Sequence, residues 1–311
     1  MSTNEEPVSA VRFHRVAKIV PRDVPRAVRR VVRGVALLGF VGVLVHCGEQ
    51  PKPNCITSTA PFATKLIELN RSGACEGFGP AGFNADPLVG FSAYYSRDGK
   101  GQPNYDDGSL AVRTAEVGTL SQTAASYDVQ NEAKQGQLYS LGKFSVSVPN
   151  DDEICPVPTL SPTHLKLAAL PAVADDPTTE DDDESFPGQD AVDITLTWSD
   201  VKVYVTAASY GTQVEATLSD TRLTPTGESC TIRYKTLSLS PAVSCQKLDM
   251  DEAPIKNPDG SYEVDPTLCD SEANPKLDRF TGSGISPNTH FECDPSIGYC
   301  VLADDSVPSL L

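Results

Sequence analysis

Nine cysteines and two of the four histidines are the residues of this 311-residue chain best suited to chemistry. Cys47 stands apart upstream. Cys55, Cys75, Cys155, Cys230, Cys245, Cys269, Cys293 and Cys300 form an even set that an oxidising compartment joins into four disulfides. Such a set permits roughly a hundred pairings, and sequence proximity makes Cys230 with Cys245, and Cys293 with Cys300, the local candidates. The run HFEC, His290 to Cys293, offers two zinc-ligand types, but no second matching pair accompanies it, so a disulfide claims Cys293. GSGIS, at Gly282 to Ser286, lacks the order of a nucleophile elbow and predicts a turn. His164 and His290 lie in no recognisable catalytic context, and no phosphate-cradling loop or dinucleotide fingerprint is present. Asp98, Asn104, Asp106 and Asp107 supply oxygen ligands, yet their spacing does not follow an EF-hand, so a solvated turn is expected. Paired carboxylates leave no spacing signature. A hydrolase acting through two acids therefore stays open as one alternative, and a calcium-dependent adhesin as another. No catalytic residue, no metal ligand and no cofactor is assigned. Trp198, the single tryptophan, is a candidate ligand platform if exposed, and a core residue if it follows the apolar face of its strand.

Where the chain goes is more legible. Residues 1–46 carry eight basic and three acidic residues and end in the apolar stretch Gly34 to Val45. A basic region followed by about 12 apolar residues is the pattern of a secretory leader, and that length is too short for roughly 30 Å of hydrocarbon. LVHC, at Leu44 to Cys47, resembles the lipobox of bacterial lipoproteins, in which the cysteine is diacylated and becomes the new amino terminus. Leu44, Val45 and Cys47 match that pattern, and His46 departs from the Gly, Ala or Ser usual before the cysteine. The resemblance implies lipid attachment at Cys47, which agrees with its being the odd cysteine. Gly48 rather than Asp after it fits onward transport to an outer membrane, with the periplasmic or the cell-surface face left open. With phrases such as CPVPTLSP and RFTGSGISP, the layout resembles cell-envelope lipoproteins of predatory and gliding bacteria such as the myxobacteria. That resemblance implies no particular activity.

The elements that must position any site follow from periodicity. VDITLTWSDVKVYV places Ile194, Leu196 and Trp198 on one parity and Val201, Val203 and Val205 on the other. A one-residue slip turns a strand's apolar set to the opposite face, so the flip at Ser199 and Asp200 demands a bulge or a tight turn. YGTQVEATLSDTRL and CTIRYKTLSL read as the next strands of an antiparallel meander. Upstream, PLVGFSAYY and LAVRTAEVGTL read as strands joined by a long loop, and Phe144, Val146 and Val148 alternate as a half-buried strand requires. SPTHLKLAAL, at Ser161 to Leu170, is the clearest helix candidate, with a capping Ser161, Pro162 at the first position and Pro171 as a stop. Seven carboxylates between Asp175 and Glu184 mark an exposed acidic loop over 172–190.

The expectation is a mainly β protein, an antiparallel sheet or sandwich with long disulfide-linked loops and one or two short helices. Its parts are a signal peptide over 1–46, a tether over 47–54 and a single domain over 55–311. The segment 246–311 is irregular and fastened by disulfides to the sheet. Seventeen basic against thirty-nine acidic residues after His46 give a net of −22, which disfavours nucleic acid as a partner. The expected role is a non-enzymatic binding or assembly module held at a membrane by its lipid. Its partner would be another envelope protein or a glycan, met through an exposed apolar or aromatic patch on the sheet.

Overall fold

The parity flip at Ser199 is a β-bulge. In the computed structural model, which describes residues 52–76, 87–126, 137–173, 188–224 and 226–311, β7 (Val192–Val205) runs unbroken through it. Its register against β8 (Tyr210–Leu223) shifts between Ser199 and Lys202, where Asp200 takes a φ of 54°. The bulge lets Ile194, Leu196 and Trp198 face the same core as Val201, Val203 and Val205.

Around β7 the strands close on themselves. β1 (Phe62–Gly73), β2 (Leu88–Arg97), β3 (Pro103–Thr114) and β4 (Ser140–Lys143) pair in chain order, and β5 (Ile154–Thr159), β7, β8 and β9 (Ser229–Leu239) continue the path. β9 returns to pair with β1 over ten positions, with a bulge between Glu68 and Asn70. β6 (Thr163–Leu167) extends the line of β5 along β7. The remaining gap, between β4 and the β5–β6 line, is bridged at Gly142 and Leu160 and by backbone bonds from Ser145 to Pro156 and from Ser161 to Leu141. The result is an up-and-down antiparallel barrel, nearly closed, with β5 and β6 together acting as one broken strand.

Side chains fill its middle. Trp198, Phe91 and Phe62 make two edge-to-face contacts, with ring centroids 5.9 and 5.0 Å apart, and each side chain is almost wholly buried. Trp198 is thus core and not a ligand platform, because its parity sends it inward. Both ends are stoppered. At one end residues 55–60 stand in for a strand beside β2: the Thr57 hydroxyl bonds Phe91 O and accepts from Ala93 N, and Ser58 N donates to Gly211 O. At the other end lies α1 (Ala115–Ser126), whose Val117 and Ala124 join the barrel core.

That helix is where a strand was expected. The β3 pattern ends at Thr114, whose hydroxyl accepts from Val117 N in the manner of a helix cap, and Ala115, Leu120, Ala124 and Ala125 after it are good helix formers. The opposite correction applies to SPTHLKLAAL. There Thr163, Leu165 and Leu167 alternate inward against β7 while His164 and Lys166 point out, and strand pairing overrides the local helix signals. The long loop after β2 is also shorter than expected. Asp98 Oδ1 accepts from the backbone N–H of Lys100 and Gln102, folding a tight turn so that β3 begins at Pro103. β4 stops at Lys143, and Val146 and Val148 lie beyond it, exposed.

The segment after β9 is irregular, as its turn signals indicate, with two 3₁₀ turns (Pro266–Cys269 and Pro275–Leu277) and the hairpin β10 (Phe291–Asp294) and β11 (Tyr299–Leu302). It covers the outer face of β1, β8 and β9. Leu237, Leu239 and Ile67 pack there against Val264, Leu268, Ile285, Phe291 and Leu302. Gln213 of β8 exchanges hydrogen bonds with Ser309, and Glu215 accepts from Val307 N at 3.1 Å. The disulfides do not fasten this segment to the sheet. Cys245–Cys293 and Cys269–Cys300 tie it to itself, while Cys55–Cys155 and Cys75–Cys230 brace the barrel. The two local pairs expected from sequence proximity are therefore replaced, because Cys230 ends up beside Cys75 once β9 pairs with β1.

Candidate functional site

With the barrel interior filled by side chains, the surface open to a ligand is the outer one. Along β2, Val89 and Phe91 point inward, which leaves Gly90, Ser92 and Tyr94 outside. On β3, Leu110 and Val112 point inward and Ser109, Ala111 and Arg113 outside. The register aligns these positions in rows: Gly90 with Arg113, Ser92 with Ala111 and then Leu141, Tyr94 with Ser109 and then Lys143. Tyr139 stands just before β4. The small residues form a floor and the larger ones rise around it, giving a groove of about 590 Å³ lined by Gly90, Ser92, Tyr94, Arg113, Tyr139 and Leu141, among others. A second hollow of about 350 Å³ shares Gly90, Ser92 and Arg113 and runs toward the start of α1.

The rim is aromatic and exposed. Tyr94 keeps 58% of its surface in solvent, Tyr139 48% and Leu141 41%. Arg113 Nη2 donates to Ser121 Oγ of α1 at 2.9 Å, and Ser121 Oγ donates in turn to Gly118 O. That contact steers the guanidinium along one wall. Among the described residues no carboxylate pairs with it. The nearby acids are engaged elsewhere: Asp107 with Lys143, whose hydrogen bond holds the Asp107 carboxyl below its usual range, and Glu116 with Arg222.

The residues singled out from sequence fall in other places. Cys47 and the acidic run Asp175 to Glu184 lie outside the described residues. Asp98 Oδ1 accepts from the backbone N–H of Lys100 and Gln102, and Asn104 Oδ1 accepts from Asp106 N, so these oxygens shape their own turn. Of the HFEC pair, Cys293 is bonded to Cys245, and His290 Nδ1 lies 3.1 Å from Asp304. Three sulfurs, of Cys245, Cys269 and Cys293, cluster tightly because two disulfides pack together, and sulfurs so bonded are not thiolate ligands. GSGIS is a turn, with Gly284 at a φ of 85° and Ser283 Oγ donating to Cys269 O. His164 Nε2 lies 3.1 Å from Asp193 on the exposed side of β6 and β7.

Two carboxylates do meet beneath α1. Arg222 donates to Glu116 through Nη1 and Nη2, each at 2.8 Å, and to Asp220 at 3.0–3.1 Å. Burial raises the Asp220 carboxyl above its usual range, and the charge of Arg222 acts against that rise. For Arg222 burial works against the charge, yet the hydrogen bonds of Glu116 and the charges of both acids more than offset it and hold the guanidinium protonated. Tyr234 beside them is pushed up to about 12, first by burial and then by the charge of Asp220. One guanidinium engages the oxygens of both acids. Glycoside hydrolysis needs the opposite, one acid free to donate and one free to attack or activate water, so this cluster is a strut between helix and barrel.

One family model, MlpA, matches residues 70–241, more than half of the chain. The chain belongs to the MlpA family. The MlpA match begins within β1 and ends just after β9, so it covers most of the barrel, α1 and the groove, and stops short of the disulfide-tied segment from Cys245 onward. No curated protein and no solved structure matches the chain.

The groove residues Tyr94, Arg113, Tyr139 and Leu141 were not singled out from sequence. The available signal was the outward parity of PLVGFSAYY, which runs Gly, Ser, Tyr against the inward Val, Phe. Only the pairing of three strands turns that parity into a floor and a rim.

Proposed function

We propose that this MlpA-family protein is an exported envelope lipoprotein, anchored through Cys47 at the outer membrane, whose barrel is a non-enzymatic module that binds another envelope component in the groove over β2, β3 and β4. The supporting observation is the cysteine count: all eight cysteines after Cys47 lie in four disulfides, which leaves the lipobox-like cysteine as the odd one. Four structural disulfides belong to an oxidising compartment. The exposed tyrosines of the groove supply the binding surface, and the filled barrel directs a ligand to the outside. A lipid at Cys47 would keep that surface close to its own membrane, since the eight residues from Cys47 to Asn54 extend by no more than about 30 Å.

Intact mass of the protein extracted from its native membrane tests the anchor. The expected species lacks residues 1–46, carries acyl chains on Cys47 and is lighter by the eight hydrogens of four disulfides. A Cys47→Ser variant should leave the membrane fraction. An uncut, unacylated chain with free thiols would sink the proposal.

A further inference from the structure

We infer that the groove over β2, β3 and β4 takes a carbohydrate bearing carboxylates, a uronic-acid oligosaccharide, with Tyr94 and Tyr139 as stacking platforms and Arg113 as the carboxylate anchor. This inference rests on the reading of the groove as the binding surface and names its ligand class.

Three properties of the groove select that chemistry. Its rim offers exposed phenol rings, which present flat apolar faces together with a hydroxyl that stays wet. Its floor is Gly90, Ser92, Ala111 and Ser109, small enough for a ligand to approach the sheet and carrying two hydroxyls that donate or accept. Its wall holds a guanidinium with one N–H committed to Ser121 and the rest of its donor fork available. A pyranose ring is amphipathic in the same sense, with an apolar C–H face and a hydroxyl edge, and a uronate adds the planar anion that a guanidinium grips best.

Other occupants fit less well. An apolar peptide face would bury two serine hydroxyls and the donors of Arg113 not used on Ser121, at a cost of order 1–3 kcal/mol for each polar group left unsatisfied. The net of −22 after His46 opposes an anionic sugar at range but is screened within about 8 Å at physiological ionic strength, so at contact the local guanidinium decides. The row of Tyr94 and the row of Arg113 lie four residues apart along β2 and β3, roughly 13 Å at the rise of a strand, a span suited to a short oligomer and not a single sugar.

Calorimetry on the detergent-solubilised full chain, with oligogalacturonate and a neutral gluco-oligosaccharide of equal length, tests the assignment. Oligogalacturonate should bind and the neutral oligomer should bind at least about tenfold more weakly. Arg113→Ala, Tyr94→Ala and Tyr139→Ala should each weaken uronate binding by about tenfold or more, Tyr94→Phe should restore it, and none should move the thermal midpoint. Equal binding of both sugars, or indifference to Arg113→Ala, overturns the inference. If neither sugar binds, hydrogen exchange of 90–94 and 109–113 in the presence of envelope extract separates the two failures: protection there overturns the ligand class alone, and no protection overturns the groove as well.

Discussion

Arg222 joins two elements, β8 and α1, through one side chain. Its guanidinium takes both oxygens of Glu116 at the start of α1 and both of Asp220 on its own strand, and Asp220 is 5% exposed. Removing one member of such a cluster is worse than never having built it, because the partner charge stays behind without compensation. Arg222→Ala should therefore lower stability by about 3–5 kcal/mol, read as a shift of the urea midpoint. Glu116→Gln, which keeps the shape and leaves Arg222 with Asp220, should lose less. A loss under about 1 kcal/mol for Arg222→Ala would mean that water reaches Asp220 freely, the behaviour of a surface pair.

At the scale of the element, closure of the barrel depends on Gly142 of β4. A Cβ added there would meet Thr159 O at 2.5 Å and Val157 Cγ1 at 2.7 Å, contacts that backbone and core cannot yield cheaply. Gly142→Ala should pry β4 from the β5–β6 line and lower stability by about 1–3 kcal/mol. Hydrogen exchange should rise at Ser145 and Ser161, whose amides bridge the closure; exchange that stays slow there would show that the strands part without consequence. The same scale shows what was legible in the sequence. Strands β7, β8 and β9 and the bulge at Ser199 could be read because their apolar parity is strict, and parity is a local property. The helix α1 and the strand β6 were exchanged because their local signals point the wrong way. No Gly or Pro separates Thr114 from Ala115 to mark the end of the strand, while Ser161 and Pro162 imitate a helix start that pairing with β7 overrides. The groove could not be read at all until register had brought Tyr94, Arg113 and Leu141 onto one face.

For the molecule as a unit, the disulfides divide the labour. Cys75–Cys230 closes a separation of 155 residues and Cys245–Cys293 one of 48, so the former restricts the unfolded chain more. Logarithmic scaling with loop length makes the difference about 1 kcal/mol. Paired serine variants compared by chemical unfolding should show that order, with the barrel pair the costlier. The reverse order would mean that native packing around the C-terminal pair outweighs the restriction of the unfolded chain.

Cys55 sets how the molecule bears load. Its sulfur is joined to Cys155 on β5, its amide donates to Ser147 O at 2.8 Å, and the Tyr95 hydroxyl donates to its carbonyl. A pull applied from the amino-terminal side reaches a covalent staple in the barrel wall before it can peel residues 56–60 from the mouth they plug. Tension entering at Cys55 would accordingly be borne by a sulfur–sulfur bond, and the hydrogen bonds sealing that mouth would be spared.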